Sequence, residues 1–170
     1  LCLKKFVHRK IQLVHAWFLQ KEPVLHIMRM GEMMNKVNDT IELRHGSGGR
    51  AMAELIDNLF LHYFDNKWLA QKNDQACFDV KSGRMVMSTD SHVVSPIFFP
   101  GGDIGSLSIN GTINDVVMSG AIPLYIAASF IIEAGFSFDV LKRIVESMAY
   151  TAKKSNVAIV TGDTKVVEKG

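Results

Sequence analysis

Apolar positions along the chain follow two rhythms. Met52, Leu55, Ile56, Leu59, Phe60 and Tyr63 recur at helical spacing and form one stripe. The same spacing returns in Leu141, Ile144, Val145, Met148 and Ala152, which predicts a second amphipathic helix over Phe138–Ser155. Leu124–Glu133 and Val157–Thr161 are nearly continuous apolar runs, the pattern of strands covered on both faces. Asn73–Val80 and Met85–Asp90 read as two strands joined by the turn Lys81-Ser-Gly-Arg84, a hairpin that brings Asp74 and Asp90 to one end. Ser95–Asp103, with two prolines and two glycines, reads as an apolar loop that covers a ligand or faces a partner. Helices alternate with strands after an initial hairpin. The fold class predicted is α/β (α+β), a mixed sheet covered by helices on one face.

One stretch departs from an ordinary amphipathic pattern. Leu107–Ala121 reads as a helix, yet Ser108, Gly111, Thr112, Asp115 and Ser119 share a face that is small and polar. Gly111 costs about 1 kcal/mol against alanine inside a helix. Such a face suits either close packing of two helices or a place where another group comes up to the backbone. Three more aspartates bear on the choice. Asp74, Asp90 and Asp163 sit at predicted strand ends, near the helix that carries Asp115. Four carboxylates on one edge repel one another unless cations occupy it. Oxygen donors without His or Cys suit Mg²⁺, which a few carboxylates hold together with substrate phosphates. Lys165 then offers a point charge to phosphate, and Thr112, Asn114 and Thr164 offer neutral hydrogen bonds.

A further candidate is Arg44-His-Gly-Ser-Gly-Gly-Arg50. Three glycines around a serine do not settle cheaply into helix or strand, and a helix follows at once. Its backbone N–H groups can face phosphate at a helix N-terminus, or the stretch is a plain flexible loop. It is not a Walker-type sequence. His45, with no histidine at ligand spacing, reads as a loop or capping residue.

Composition narrows the function classes. Hydrophobic residues make up 48% and charged residues 21% of 170, which excludes wholesale disorder and allows a real core. A net charge of +2 gives no field for nucleic acid. No apolar run is long enough to span a bilayer. Cys2 and Cys77, far apart, form neither a disulfide framework nor a metal knuckle, so reduced thiols in the cytoplasm are the default. The first 33 residues differ from the rest: six Lys/Arg against two Glu give a balance of +4, which leaves −2 elsewhere. Leu3, Phe6, Val7, Ile11, Val14 and Phe18 fall at helical spacing there. The segment reads as a basic amphipathic arm, as a targeting peptide without a clean apolar region or cleavage site, or as sequence outside the domain. The last is preferred, with residues 1–33 an extra segment not part of the fold and residues 34–170 the domain.

The motifs together resemble a known family. HGSGG at 45–49, NDQA at 73–76, STDS at 88–91, FFPGGDIG at 98–105, NGTINDVVMSGAIP at 110–123 and VTGDTKVV at 160–167 are similar, in order and spacing, to the HypE family of hydrogenase maturation factors. That family shares a superfamily with aminoimidazole ribonucleotide synthetase, selenophosphate synthetase and thiamine-monophosphate kinase. The resemblance implies an N-terminal ATP-binding domain whose sheet pairs with that of a second copy, making a homodimer. It implies ATP-driven dehydration of a carbamoyl group on a C-terminal cysteine to thiocyanate, the source of cyanide for [NiFe] hydrogenase. The partners implied are the carbamoyltransferase HypF and the HypC–HypD complex, with no nucleic acid and no membrane. By the same resemblance, Asp74, Asp90 and Asp115 would hold Mg²⁺, and Asp163, Thr164 and Lys165 would meet the nucleotide phosphates. Gly46, Ser47, Gly48 and Gly49 would form a mobile phosphate-side loop.

The family pattern continues into a second domain with a Pro-Arg-Ile-Cys tail, which is absent from these 170 residues; neither Cys2 nor Cys77 stands at the carrier position. The expectation is therefore a nucleotide-binding half with the carrier cysteine outside it. Two other readings of the residues stand beside it. One is another ATP-dependent synthetase or kinase of the superfamily, although the loop HGSGG lacks the reactive Cys or selenocysteine usual in selenophosphate synthetase. The other is a dimerisation module without chemistry.

Overall fold

The structure is a computed structural model that describes residues 11–18, 40–80 and 82–170, the first of these through its backbone pairing. Four strands form the main sheet, in the order β2 (Ser91–His92), β1 (Ile11–Phe18), β5 (Tyr125–Glu133), β6 (Ala158–Val167). β1 runs antiparallel to both β2 and β5, whereas β5 and β6 are parallel. The sheet is mixed, as the alternation of elements predicts.

The parallel pair is joined by α4 (Phe138–Lys154). Ser137 caps this helix, its hydroxyl accepting from the Val140 N–H at 3.5 Å, and Lys153 and Lys154 lie in the last turn, where the helix dipole favours cations. Its stripe of Leu141, Ile144, Val145 and Met148 is fully buried. α3 (Ile104–Val117) lies beside it, capped by Asp103, whose carboxylate accepts from the Ser106 N–H at 3.0 Å while the Ser106 hydroxyl lies 3.0 Å from the Asp103 N–H. The two helices approach closely because Gly105 carries no side chain. A Cβ there would lie 2.5 Å from the carbonyl oxygen of Ile144 and 3.0 Å from Cγ of Met148. A third helical rod runs through α1 (Arg50–Leu55), a π-helical turn (Ile56–Phe60) and α2 (Leu61–Phe64), burying Leu55, Leu59, Phe60 and Phe64.

These helices cover one face of the sheet. Ile126, Ala128, Phe130 and Ile132 of β5 point into the main core with Ile109, Val116 and Ile144. Strand periodicity sends Tyr125, Ala127, Ser129, Ile131 and Glu133 to the opposite face. One end of that face is covered by a small cluster in which Phe78 stacks on Tyr125 at 4.6 Å and Trp68 meets it edge-on at 4.9 Å. Ala127, Ser129, Ile131 and Glu133 are only half-buried.

Four expectations need correction. Residues 73–80 and 85–90 do not form the predicted hairpin; β2, immediately after Asp90, joins the sheet. A strand has two hydrogen-bonding edges. On β5 one edge is taken by β6 and the other by β1 from Ile11↔Ile132 to Phe18↔Tyr125, and the chain after Asp90 pairs with β1 at Leu13 and Val14. By these pairings Ile11–Phe18, in the segment set apart from the fold, belongs to the sheet; the other residues of 1–33 lie outside the described residues. The apolar stretch Ser95–Asp103 holds a short antiparallel pair, β3 (Phe98–Phe99) with β4 (Gly102–Asp103), and the Arg143 guanidinium sits 4.1 Å over the Phe98 ring. β6 extends to Val167, so Gly162-Asp163-Thr164-Lys165 lies within a strand and not beyond one.

Candidate functional site

The residues singled out by sequence fall into two groups. The first is built on β6. Asp163 and Lys165 point to the same side, with the Lys165 ammonium 2.9 Å from Oδ1 of Asp163, which also accepts from the Thr164 N–H at 2.8 Å. Both are exposed, so the ion pair itself contributes little to stability. The Gly-rich loop reaches this strand. A Cβ on Gly46 would collide with the backbone nitrogen of Val166, so the base of the loop lies directly against the residue after Lys165. Gly48 and Gly49 have φ of 76° and 95° with open space around them, a conformation that side-chain-bearing residues rarely adopt. His45 is a capping residue, as its spacing suggests: its Nδ1 accepts from the Glu42 N–H at 2.9 Å. Asp74 meets the same strand through its backbone, its carbonyl accepting from the Thr161 hydroxyl at 2.9 Å.

The second group is built on α3. The segment 88–92 runs along this helix. The Ser88 hydroxyl donates to Oδ2 of Asp115 at 3.2 Å, and the His92 ring lies against Gly111, four residues earlier on the same helix face. Asp90 lies between these two contacts in sequence. Its Oδ1 accepts from the Ser91 N–H at 2.7 Å and its Oδ2 lies 3.3 Å from Nε2 of His92. Asn114 and Asp115 are exposed. Thr112 is buried, its hydroxyl donating to the Ser108 carbonyl at 2.9 Å, and Thr164 is buried on the helix side of the sheet, paired in register with Phe130. Neither threonine presents its hydroxyl to the surface that the aspartates share with solvent.

The donors around α3 are oxygens of Asp90, Asp115 and Ser88, the chemistry of a hard cation. Among the described residues no three His, Cys, Asp or Glu side chains come together as a metal site. Among the described residues there is therefore no closed cage of protein ligands. That fits an ion such as Mg²⁺, which takes one or two carboxylates and completes its shell from phosphates and water. Sequence reasoning placed Asp90 and Asp115 in one group but missed His92 and Ser88. Gly111, where a small residue interrupts a helix, was the signal that something packs there.

Residues 72–170 match the family described as AIR synthase related protein, N-terminal domain. The chain belongs to the AIR synthase related family. Within that family it is similar to the carbamoyl dehydratase HypE of Cupriavidus necator, 64% identical over 138 residues that cover 81% of this chain and 39% of the relative. It is 62% identical to the carbamoyl dehydratase HypE of Bradyrhizobium diazoefficiens over 133 residues, 78% of this chain and 38% of the relative. Its fold is similar to a crystal structure of hydrogenase maturation protein HypE in complex with ATP, with a TM-score of 0.74 and 54% identity, covering 76% of this chain and 38% of the other. The chain thus spans less than two-fifths of the length of these AIR synthase related relatives.

Proposed function

We propose that this chain supplies the ATP-binding part of a carbamoyl dehydratase in [NiFe] hydrogenase maturation. The observation that carries the reading is the likeness, at 54% identity, to a HypE structure that holds ATP, together with the Gly-rich loop seated against the Asp163–Lys165 strand. In this reading the Gly46–Gly49 loop and Lys165 receive the phosphates, the loop with backbone N–H groups and the lysine with its charge. Asp90 and Asp115 would hold Mg²⁺, and Asp74, in the group on β6, stands on the phosphate side. When bound, Mg²⁺ would neutralise phosphate charge; the carbamoyl oxygen attacks the terminal phosphorus, whose bond to ADP breaks as ADP leaves. Loss of that oxygen as phosphate, with the two amide protons, turns a cysteine-bound carbamoyl into a thiocyanate. Asp163 holds Lys165 in place until phosphate takes over the ammonium.

A second copy of the chain, the carbamoyltransferase HypF and the HypC–HypD complex are the partners this reading implies, in the cytoplasm. Titration of the chain with ATP, with and without Mg²⁺, tests it. Saturable binding that Mg²⁺ strengthens is expected; indifference to ATP overturns it.

A further inference from the structure

Gly111 and His92 form a contact that the proposed chemistry does not use. Gly111 stands in the middle of α3, where glycine is a poor helix former. A Cβ at this position would lie 2.6 Å from Nε2 of His92. His92 is 8% exposed, and the same Nε2 lies 3.3 Å from Oδ2 of Asp90. The other oxygen of Asp90 is held by the Ser91 N–H. One oxygen of the carboxylate is therefore bonded, and the other lies against a ring that fits only because residue 111 has no side chain. Gly111 also stands one helical turn from Asp115, so the ring settles Asp90 relative to the helix that carries the second carboxylate.

We infer that His92 is a positioning residue for Asp90 and that Gly111 is its seat, the pair setting the metal-binding geometry of that carboxylate. The inference rests on the reading that Asp90 takes part in Mg²⁺ binding with ATP. Outer groups that orient a metal-ligating carboxylate typically change metal affinity by about tenfold or more when removed.

The test uses the full chain and reads two quantities: the apparent Mg²⁺ affinity at saturating ATP, and the thermal midpoint. His92→Ala is expected to weaken Mg²⁺ about tenfold while metal-free ATP binds as before. His92→Gln, whose amide nitrogen reaches the position of Nε2, is expected to recover most of the loss. Gly111→Ala moves only the far end of the ring and adds a better helix former, so its midpoint stays level or rises while Mg²⁺ affinity falls. Asp90→Asn combined with His92→Ala is expected to lose no more Mg²⁺ affinity than Asp90→Asn alone. The inference is overturned if His92→Ala and Gly111→Ala leave Mg²⁺ affinity unchanged, or if affinity falls only in step with the midpoint. A wild-type chain that binds ATP without regard to Mg²⁺ overturns the underlying metal reading instead, whatever the variants do.

Discussion

Asp115 is the clearest single residue to test. It is exposed at the C-terminal part of α3 and accepts from the Ser88 hydroxyl, an exposed contact whose loss costs the fold little. Asp115→Asn is expected to weaken Mg·ATP about tenfold or more, the scale of one charged contact, and to leave metal-free ATP unchanged. Calorimetric titration with and without Mg²⁺ decides this; equal weakening of both removes Asp115 from the metal site. Tyr63 tests a different kind of contact. Its hydroxyl donates to Glu146 at 2.6 Å, and burial first, then this bond, push its pKa from 10 to about 12. The protonated form is favoured in the folded state, so its contribution is complete below pH 10 and is lost as pH rises from 10 to 12. Tyr63→Phe is expected to cost about 0.5–1.5 kcal/mol at neutral pH and to flatten the fall in stability over that alkaline interval, measured by urea melts at several pH values. At this scale the sequence was most legible where side chains are charged and exposed. Asp90, Asp115, Asp163 and Lys165 could be found by residue type alone. Thr112 and Thr164 could not be excluded by type, because a hydroxyl that bonds its own helix and one that faces a ligand read the same until burial is known.

At the scale of elements, α3 and α4 are matched surfaces. Gly105 sits where the carbonyl of Ile144 comes within 2.5 Å of an added Cβ, and this neighbour is backbone that cannot swing aside. Gly105→Ala is therefore expected to destabilise by about 1–3 kcal/mol, despite alanine's better helix propensity. A thermal midpoint equal to wild type would show that the two helices separate freely. α4 and the strands on either side were legible because their apolar spacing is local and long. The hairpin over 73–90 was misread because pairing is not local. Those residues have strand-like composition, but composition does not choose a partner: Ser91 and His92, just past them, pair with Val14 and Leu13 of β1, far back in the sequence. The short β3–β4 pair was hidden for the opposite reason: two-residue strands carry no period.

At the scale of the molecule, the described helices cover one side of the sheet. Helices bury Ile126, Ala128, Phe130 and Ile132, while Ala127, Ser129 and Ile131 stay half-buried beyond the Trp68–Phe78–Tyr125 cluster. We expect a second copy to cover this face and the chain to run as a homodimer by light scattering, with an interface of about 1,500 Å² or more. A stable monomer at micromolar concentration counts against it. The place of β1 in the sheet also fixes an order of events during synthesis. β1 ends at Phe18 and its partner β5 begins at Tyr125, 107 residues later. At about 5–20 residues per second, the ribosome releases β1 roughly 5–20 s before β5 is made. For that interval Ile-Gln-Leu-Val-His-Ala-Trp-Phe waits without β5, so a nascent-chain chaperone has its longest opportunity at the strand of this sheet that is translated first.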